Sequence, residues 1–113
     1  MFQFIKSLFV SAPVNEEVLN EIKQVISSNK IVVYSKTYCP YCTLAKSLLS
    51  SLKQDFYLQE LDTVSNGSEI QGALRKLTGQ STVPNIFING KHIGGYSELL
   101  TLNSKGKLEP LFK

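Results

Sequence analysis

Tryptophan is absent from this chain, and histidine and methionine occur once each. Only two of the 113 residues are cysteine. Two cysteines cannot build a disulfide framework, and a single Cys-x-x-Cys supplies half of a tetrahedral zinc site. The lone histidine, His92, could add a third ligand at most, so the spacing favours catalytic redox over metal. No apolar stretch is long enough to span a membrane. There is no Lys/Arg block and no basic–aromatic interleaving; 12 basic against 9 acidic side chains leave a net charge of +3. That mild excess describes a solvated surface, not a nucleic-acid footprint, although small anionic ligands would be welcome on it. Internal repeats and low-complexity tracts are also missing.

What remains is a chain with 42% hydrophobic residues, enough for one compact domain around a single core. Residues 1–14 stand apart from residues 15–113. Residues 1–12 are apolar, carry one lysine and contain neither acid nor arginine. They are expected to form an N-terminal arm packed on the domain or to act as a targeting segment, with Ser11-Ala12 near a cleavage point. A transit peptide should be rich in arginine, which this segment lacks. The expected location is cytoplasmic, or mitochondrial or secretory if residues 1–12 are a targeting segment.

Periodicity sets out the rest. Asn15 ahead of Glu16 and Glu17 is an N-cap signal, and Val18, Ile22, Val25 and Ile26 then recur at helical spacing until Ser27-Ser28-Asn29. Ile31 to Tyr34 is a continuous, β-branched apolar run, as in a strand buried on both faces. From Pro40 the pattern is helical again, with Cys42, Ala45, Leu49 and Leu52 on one stripe and Lys46 and Ser50 facing water. Tyr57 to Leu61 is a second strand. Ile70, Ala73, Leu74 and Leu77 form the inner face of a third helix, capped by Gly79. A strand at Asn85–Ile88 turns back at Asn89-Gly90, a type I′ hairpin signal, through Lys91-His92-Ile93. Gly94-Gly95 breaks that strand, and short helical pieces split near Lys105-Gly106 finish the chain. The order α-β-α-β-α-β-β-α predicts a three-layer α/β/α domain with a four-stranded mixed sheet.

Cys39-Pro40-Tyr41-Cys42 follows the first strand and opens the second helix. A Cys-x-x-Cys in that position reads as a redox dithiol. A cysteine at a helix N-terminus faces unpaired N–H groups and the positive end of the helix dipole, which favour its thiolate. The second cysteine lies one turn on, on the same face. Pro40 suits the first helical position, where its missing N–H costs nothing.

Three segments together, Lys36-Thr37-Tyr38-Cys39-Pro40-Tyr41-Cys42, Thr82-Val83-Pro84 and Gly90-Lys91-His92-Ile93-Gly94-Gly95, in this order and at these separations, resemble a dithiol glutaredoxin over about residues 15–112. Thioredoxin itself fits less well, because its motif begins with tryptophan. The resemblance implies the thioredoxin fold and glutathione-dependent thiol–disulfide exchange. It implies glutathione as co-substrate and no tightly bound cofactor or metal. The implied partners are glutathione and glutathionylated or disulfide-containing proteins, met by a monomer.

Residue by residue, Cys39 at the helix mouth is the expected nucleophile, with Lys36 as a nearby positive charge, and Cys42 within the helix is the resolving thiol. Active Cys-x-x-Cys sites hold their reactive cysteine at a pKa of roughly 3.5–7.5. The resemblance places Tyr41 beside the reactive sulfur and makes the Val83–Pro84 bond cis, against the general X-Pro preference for trans. Val83 would then offer its backbone to the cysteinyl unit of glutathione, with Thr82 in the same turn. Gly95 and the following helix start, with the Ser97 hydroxyl, would hold the γ-glutamyl carboxylate by their N–H groups. Glu98 stands where the family often has aspartate, opposite the glutamyl ammonium. Gln71 and Lys36 match positions near the glycyl carboxylate. His92 is read as a hairpin-strand residue without a catalytic role. The alternative within the same family is a scaffold in which two subunits and two glutathiones share a [2Fe–2S] cluster; Pro40, by stiffening the loop, speaks against it.

Overall fold

The computed structural model describes residues 14–113; of the expected arm or targeting segment, residues 1–14, all but Val14 lie outside them. Asn15 opens α1 (Glu16–Ser28) by accepting the Glu17 N–H at 2.8 Å. The apolar stripe that follows buries Val18, Leu19, Ile22 and Ile26. β1 (Ile31–Ser35) is buried at every position. It then gives way to α2 (Pro40–Ser51), β2 (Tyr57–Glu60), α3 (Gly67–Thr78), β3 (Asn85–Ile88), β4 (Lys91–Gly94), α4 (Tyr96–Ser104) and a 3-10 turn, Glu109–Phe112.

The four strands form one mixed sheet in the order β2-β1-β3-β4. β1 and β2 run parallel, joined through α2, while β1–β3 and β3–β4 are antiparallel. Side chains alternate across the sheet and so feed two cores. Val32, Tyr34 and Phe87 meet α1 and α3 on one face. Ile31, Val33, Ile86 and Ile88 meet Ala45 and Leu49 of α2, Leu99 of α4, and Leu108 and Phe112 on the other. This is the expected three-layer α/β/α architecture of the thioredoxin fold. The Asn89-Gly90 turn has φ of 48° and 80°, the two positive values a type I′ turn needs. No helix among the described residues is long and apolar enough to cross a membrane.

Two details depart from the periodicity. Lys46 does not simply face water: its ammonium pairs with Glu60 at 2.7 Å and ties α2 to the edge strand β2. The parallel crossover lays β2 beside that flank of the helix, so the side chain spans a junction instead of a free surface. Leu77 is 38% exposed, because the covered face of α3 ends at Leu74.

The segment after β2 holds the front of the sheet together. Asp62 accepts both the N–H of Thr37, at 3.0 Å, and its hydroxyl. One carboxylate therefore anchors the loop that leads into the Cys-x-x-Cys. The two Thr37 donors, hydroxyl first, hold the Asp62 carboxyl below its ordinary range. Five residues on, Gly67 begins α3 so close to the Leu61 carbonyl that an added Cβ would lie 1.8 Å from its oxygen.

Two outcomes are expected. Gly67→Ala should destabilise the fold by about 1–3 kcal/mol, because backbone must shift to admit the methyl group; urea denaturation measures it. Asp62 stabilises the folded state above its unfolded pKa, near 3.9, and that contribution fades as pH falls through the lower folded value. The stability gap between wild type and Asp62→Asn should therefore be widest near neutral pH and narrow as pH falls below the unfolded value. A gap that stays constant across this range would show that the carboxylate is not the tether.

Candidate active site

β1 delivers the chain to a short loop, and the loop delivers Cys39 to the first turn of α2. Cys39 is itself the N-cap, with extended backbone and its sulfur accepting the Cys42 N–H at 3.2 Å. Its own N–H donates to the Lys36 carbonyl at 3.1 Å, and its carbonyl accepts from Thr43 at 3.1 Å. Pro40 occupies the start of the helix, where no N–H is required. Both cysteines are free thiols, Cys39 half-buried and Cys42 fully buried.

The two sulfurs therefore live in different surroundings. Burial pushes the Cys42 thiol up to about 11, helped by the neighbouring Cys39 sulfur. The Lys36 backbone N–H and the Ser35 hydroxyl act on the Cys42 sulfur in the opposite direction. The outer thiol, by contrast, donates to the Val83 carbonyl at 3.7 Å, although 44 residues separate the two in sequence.

Val83 leads into a groove of about 630 Å³. Its walls bring together most of the residues singled out from sequence: Tyr41, Thr82, Val83, Pro84, Gly95, Ser97 and Glu98. The Val83–Pro84 peptide is cis. Lys36 and Gln71 do not line the groove. The Gln71 amide instead donates to the Ser81 carbonyl at 2.7 Å and braces the approach to the proline turn.

Sequence reasoning missed two groove residues. The Gln80 amide donates to the carbonyls of Thr82, at 2.9 Å, and Pro84, at 2.8 Å, and clasps the turn from inside. Its only signal was a long amide between a helix-ending glycine and a Thr-Val-Pro segment. Tyr96 opens α4 and stacks on Tyr41, with ring centroids 6.3 Å apart and planes 27° from parallel. An aromatic directly after Gly94-Gly95 was the available clue. Together the two tyrosines make an apolar wall on an otherwise main-chain-rich groove.

Glu98 is already engaged. Its carboxylate accepts the Gly95 N–H at 2.7 Å and the Ser97 hydroxyl at 3.0 Å, folding back over the first turn of α4. Those two donors, Gly95 first, hold its carboxyl below the ordinary range. The Ser97 hydroxyl is thus committed to Glu98, and the remaining N–H groups of the first turn are the donors without intrahelical partners. His92 contacts the buried Asn85 at 2.9 Å and the Phe87 ring, away from the thiols.

Comparison with known proteins agrees with this geometry. The family model described as Glutaredoxin matches residues 31–93. A glutaredoxin from Ricinus communis is 55% identical over 93 residues, which is 82% of this chain and 91% of that protein. Glutaredoxin-C1 of Arabidopsis thaliana is 51% identical over 96 residues, 85% of this chain and 77% of its own length. Among solved structures, the buckwheat glutaredoxin–glutathione complex superposes with a TM-score of 0.84 at 45% identity, covering 86% of this chain and 88% of that one. The matching family model and the Ricinus and Arabidopsis relatives, each more than half identical over the aligned residues, show that the chain belongs to the glutaredoxin family of glutathione-dependent thiol–disulfide oxidoreductases.

Proposed function

We propose that the protein reduces glutathione mixed disulfides and protein disulfides, with Cys39 as nucleophile and Cys42 as resolving thiol. The observation that carries this is the unequal burial of two sulfurs one turn apart. Cys39 reaches solvent and touches the groove through Val83, while Cys42 is sealed in the core. Only a thiolate attacks a disulfide, and the outer sulfur has the helix N-terminus and the Cys42 N–H beside it.

In the first route, the Cys39 thiolate attacks a glutathionylated protein. A Cys39–glutathione bond forms, the old S–S bond breaks, and the protein leaves as its thiol after taking a proton. A second glutathione thiolate then attacks the sulfur of the bound glutathione; the Cys39–glutathione bond breaks, Cys39 leaves as the thiolate and oxidised glutathione is released. In the second route, Cys42 displaces a protein substrate from Cys39, and glutathione reduces the resulting Cys39–Cys42 bridge.

Glutathione fits the groove by its chemistry. The main chain at Val83 suits its cysteinyl unit, the Tyr41–Tyr96 wall packs on its thiol arm, and the first turn of α4 takes its γ-glutamyl carboxylate by N–H donation. Lys36 and Gln71, outside the groove walls, serve its distal glycyl carboxylate only if their side chains swing inward. Pro40 stiffens the active-site loop and supports the oxidoreductase over a cluster scaffold. A colourless, freshly purified protein is the matching outcome; a brown one absorbing in the visible would favour the scaffold.

In an assay coupled to glutathione reductase, Cys39→Ser should abolish turnover of a glutathionylated peptide. Cys42→Ser should keep it and lose reduction of a protein disulfide such as that of insulin. Activity surviving in Cys39→Ser would overturn the assignment of roles. Because the Cys42 thiol is pushed up to about 11, its thiolate fraction grows with every step above neutral pH. The insulin-reducing rate should accordingly climb between about pH 7 and pH 9 by more than deglutathionylation does. Stopped-flow measurement of bridge formation reads this directly.

A further inference from the structure

Four successive carbonyls run through the turn beside the dithiol, and glutamine amides hold three of them. Gln71 donates to Ser81 at 2.7 Å. Gln80 donates to Thr82 at 2.9 Å and to Pro84 at 2.8 Å. The fourth carbonyl, that of Val83, accepts from the Cys39 thiol at 3.7 Å. Both partners of Gln80 are carbonyl oxygens, so its NH₂ group must face them, and that group has two hydrogens to give. Both are committed, one on each side of Val83. Thr82 and Val83 lie between α3 and β3, where neither helical bonds nor a strand ladder order them. The Gln80 amide does so instead, at the residue whose main chain borders both the groove and the reactive sulfur. A recognition surface built of loop main chain binds more tightly when it is ordered before its ligand arrives.

We propose that Gln80 is a positioning residue that sets the preference for the glutathionyl group: by clamping the carbonyls on either side of Val83, it keeps that main chain preformed for the cysteinyl unit of a glutathione mixed disulfide. The inference rests on the glutathione reading of the groove given above. The step it serves is the first exchange. The Cys39 thiolate attacks the glutathione sulfur, the Cys39–glutathione bond forms and the old S–S bond breaks. The peptide sulfur leaves with the electron pair and takes up a proton. Gln80 forms and breaks no covalent bond and touches neither sulfur. A mixed disulfide with a small thiol that has no peptide main chain undergoes the same exchange, but it has nothing to pair with Val83.

That difference separates the role from a structural one. The probe is one fluorescent peptide thiol prepared as two mixed disulfides, with glutathione and with 2-mercaptoethanol, each mixed with the reduced protein in a stopped flow. Wild type should react faster with the glutathione form. Gln80→Ala should cut the ratio of the two rates by about tenfold, the scale of one or two lost hydrogen bonds, through a fall in the glutathione rate. Gln80→Met, which keeps the length of the side chain but no donor, should cut it equally. In the ligand-free protein, NMR relaxation of the Val83 amide should show lower order in both variants. Equal slowing with both disulfides would make Gln80 a packing residue, and a wild-type ratio in Gln80→Met would assign the effect to bulk alone. A fallen ratio with an unchanged Val83 amide would mean that Gln80 meets glutathione directly, which overturns the positioning role. Should one variant fail to fold, the other still decides. If wild type itself does not distinguish the two disulfides, the glutathione reading of the groove falls; if its preference stands and survives in both variants, only the role of Gln80 falls.

Discussion

The bond from the Cys42 N–H to the Cys39 sulfur organises the rest of the site. It makes a cysteine the cap of α2, a place usually taken by an oxygen-bearing side chain. The same bond turns the outer sulfur over the helix mouth and pulls the second cysteine inward, where the helix packs Ala45 and Leu49 against the sheet. The functional asymmetry of the two thiols is therefore a by-product of helix geometry. A residue at the cap must stay near solvent, and a residue three places on, with its side chain on the packed face, must leave it.

The sheet supplies the second half. β1 is central: its carboxyl end leads through Ser35 to the dithiol loop, and its antiparallel partner β3 begins just after the proline turn. Tyr34 sits opposite Asn85 in that pairing. The carboxyl end of β1 and the start of β3 thus arrive at the same edge of the domain, and the Cys39 thiol finds the Val83 carbonyl across a long sequence separation. Asp62 and Gln80 then fasten the two loops from outside the sheet by bonding to main chain. Neither touches a sulfur, yet each fixes the path of a segment that does.

Fold and dithiol were legible because they follow local rules. Continuous β-branched runs, an Asn-Gly turn and a capped amphipathic helix each declare themselves within a few residues. The seven groove residues foreseen from sequence came from the family resemblance, since nothing in spacing alone brings Thr82 near Ser97. What stayed hidden was the set of side chains whose partners lie elsewhere in the chain. Lys46 looked like a solvated helix position until the crossover laid Glu60 beside it. The brace from Gln71, which the resemblance had placed near the glycyl carboxylate, and the clasp from Gln80, which had not been singled out, escaped because a side-chain bond to a carbonyl leaves no periodic trace. Leu77 misled for the converse reason: the helical stripe is a property of the segment, whereas burial depends on how far the neighbouring helix reaches.

Glu98 shows how such a commitment bears on binding. A longer acid than the family's usual aspartate folds back to accept the Gly95 N–H and the Ser97 hydroxyl, which places a fixed negative charge at the end of the groove. An anionic ligand arriving there meets the favourable helix terminus and this unfavourable carboxylate together. Attraction at that end must then come from N–H groups aimed at the ligand, with little help from net charge. Main-chain donors recognise the shape of a carboxylate without gripping it as an arginine fork would. For a protein proposed to take up glutathione as a thiol and release it as a disulfide in each cycle, a short-lived hold at this end suits the exchange better than a tight one.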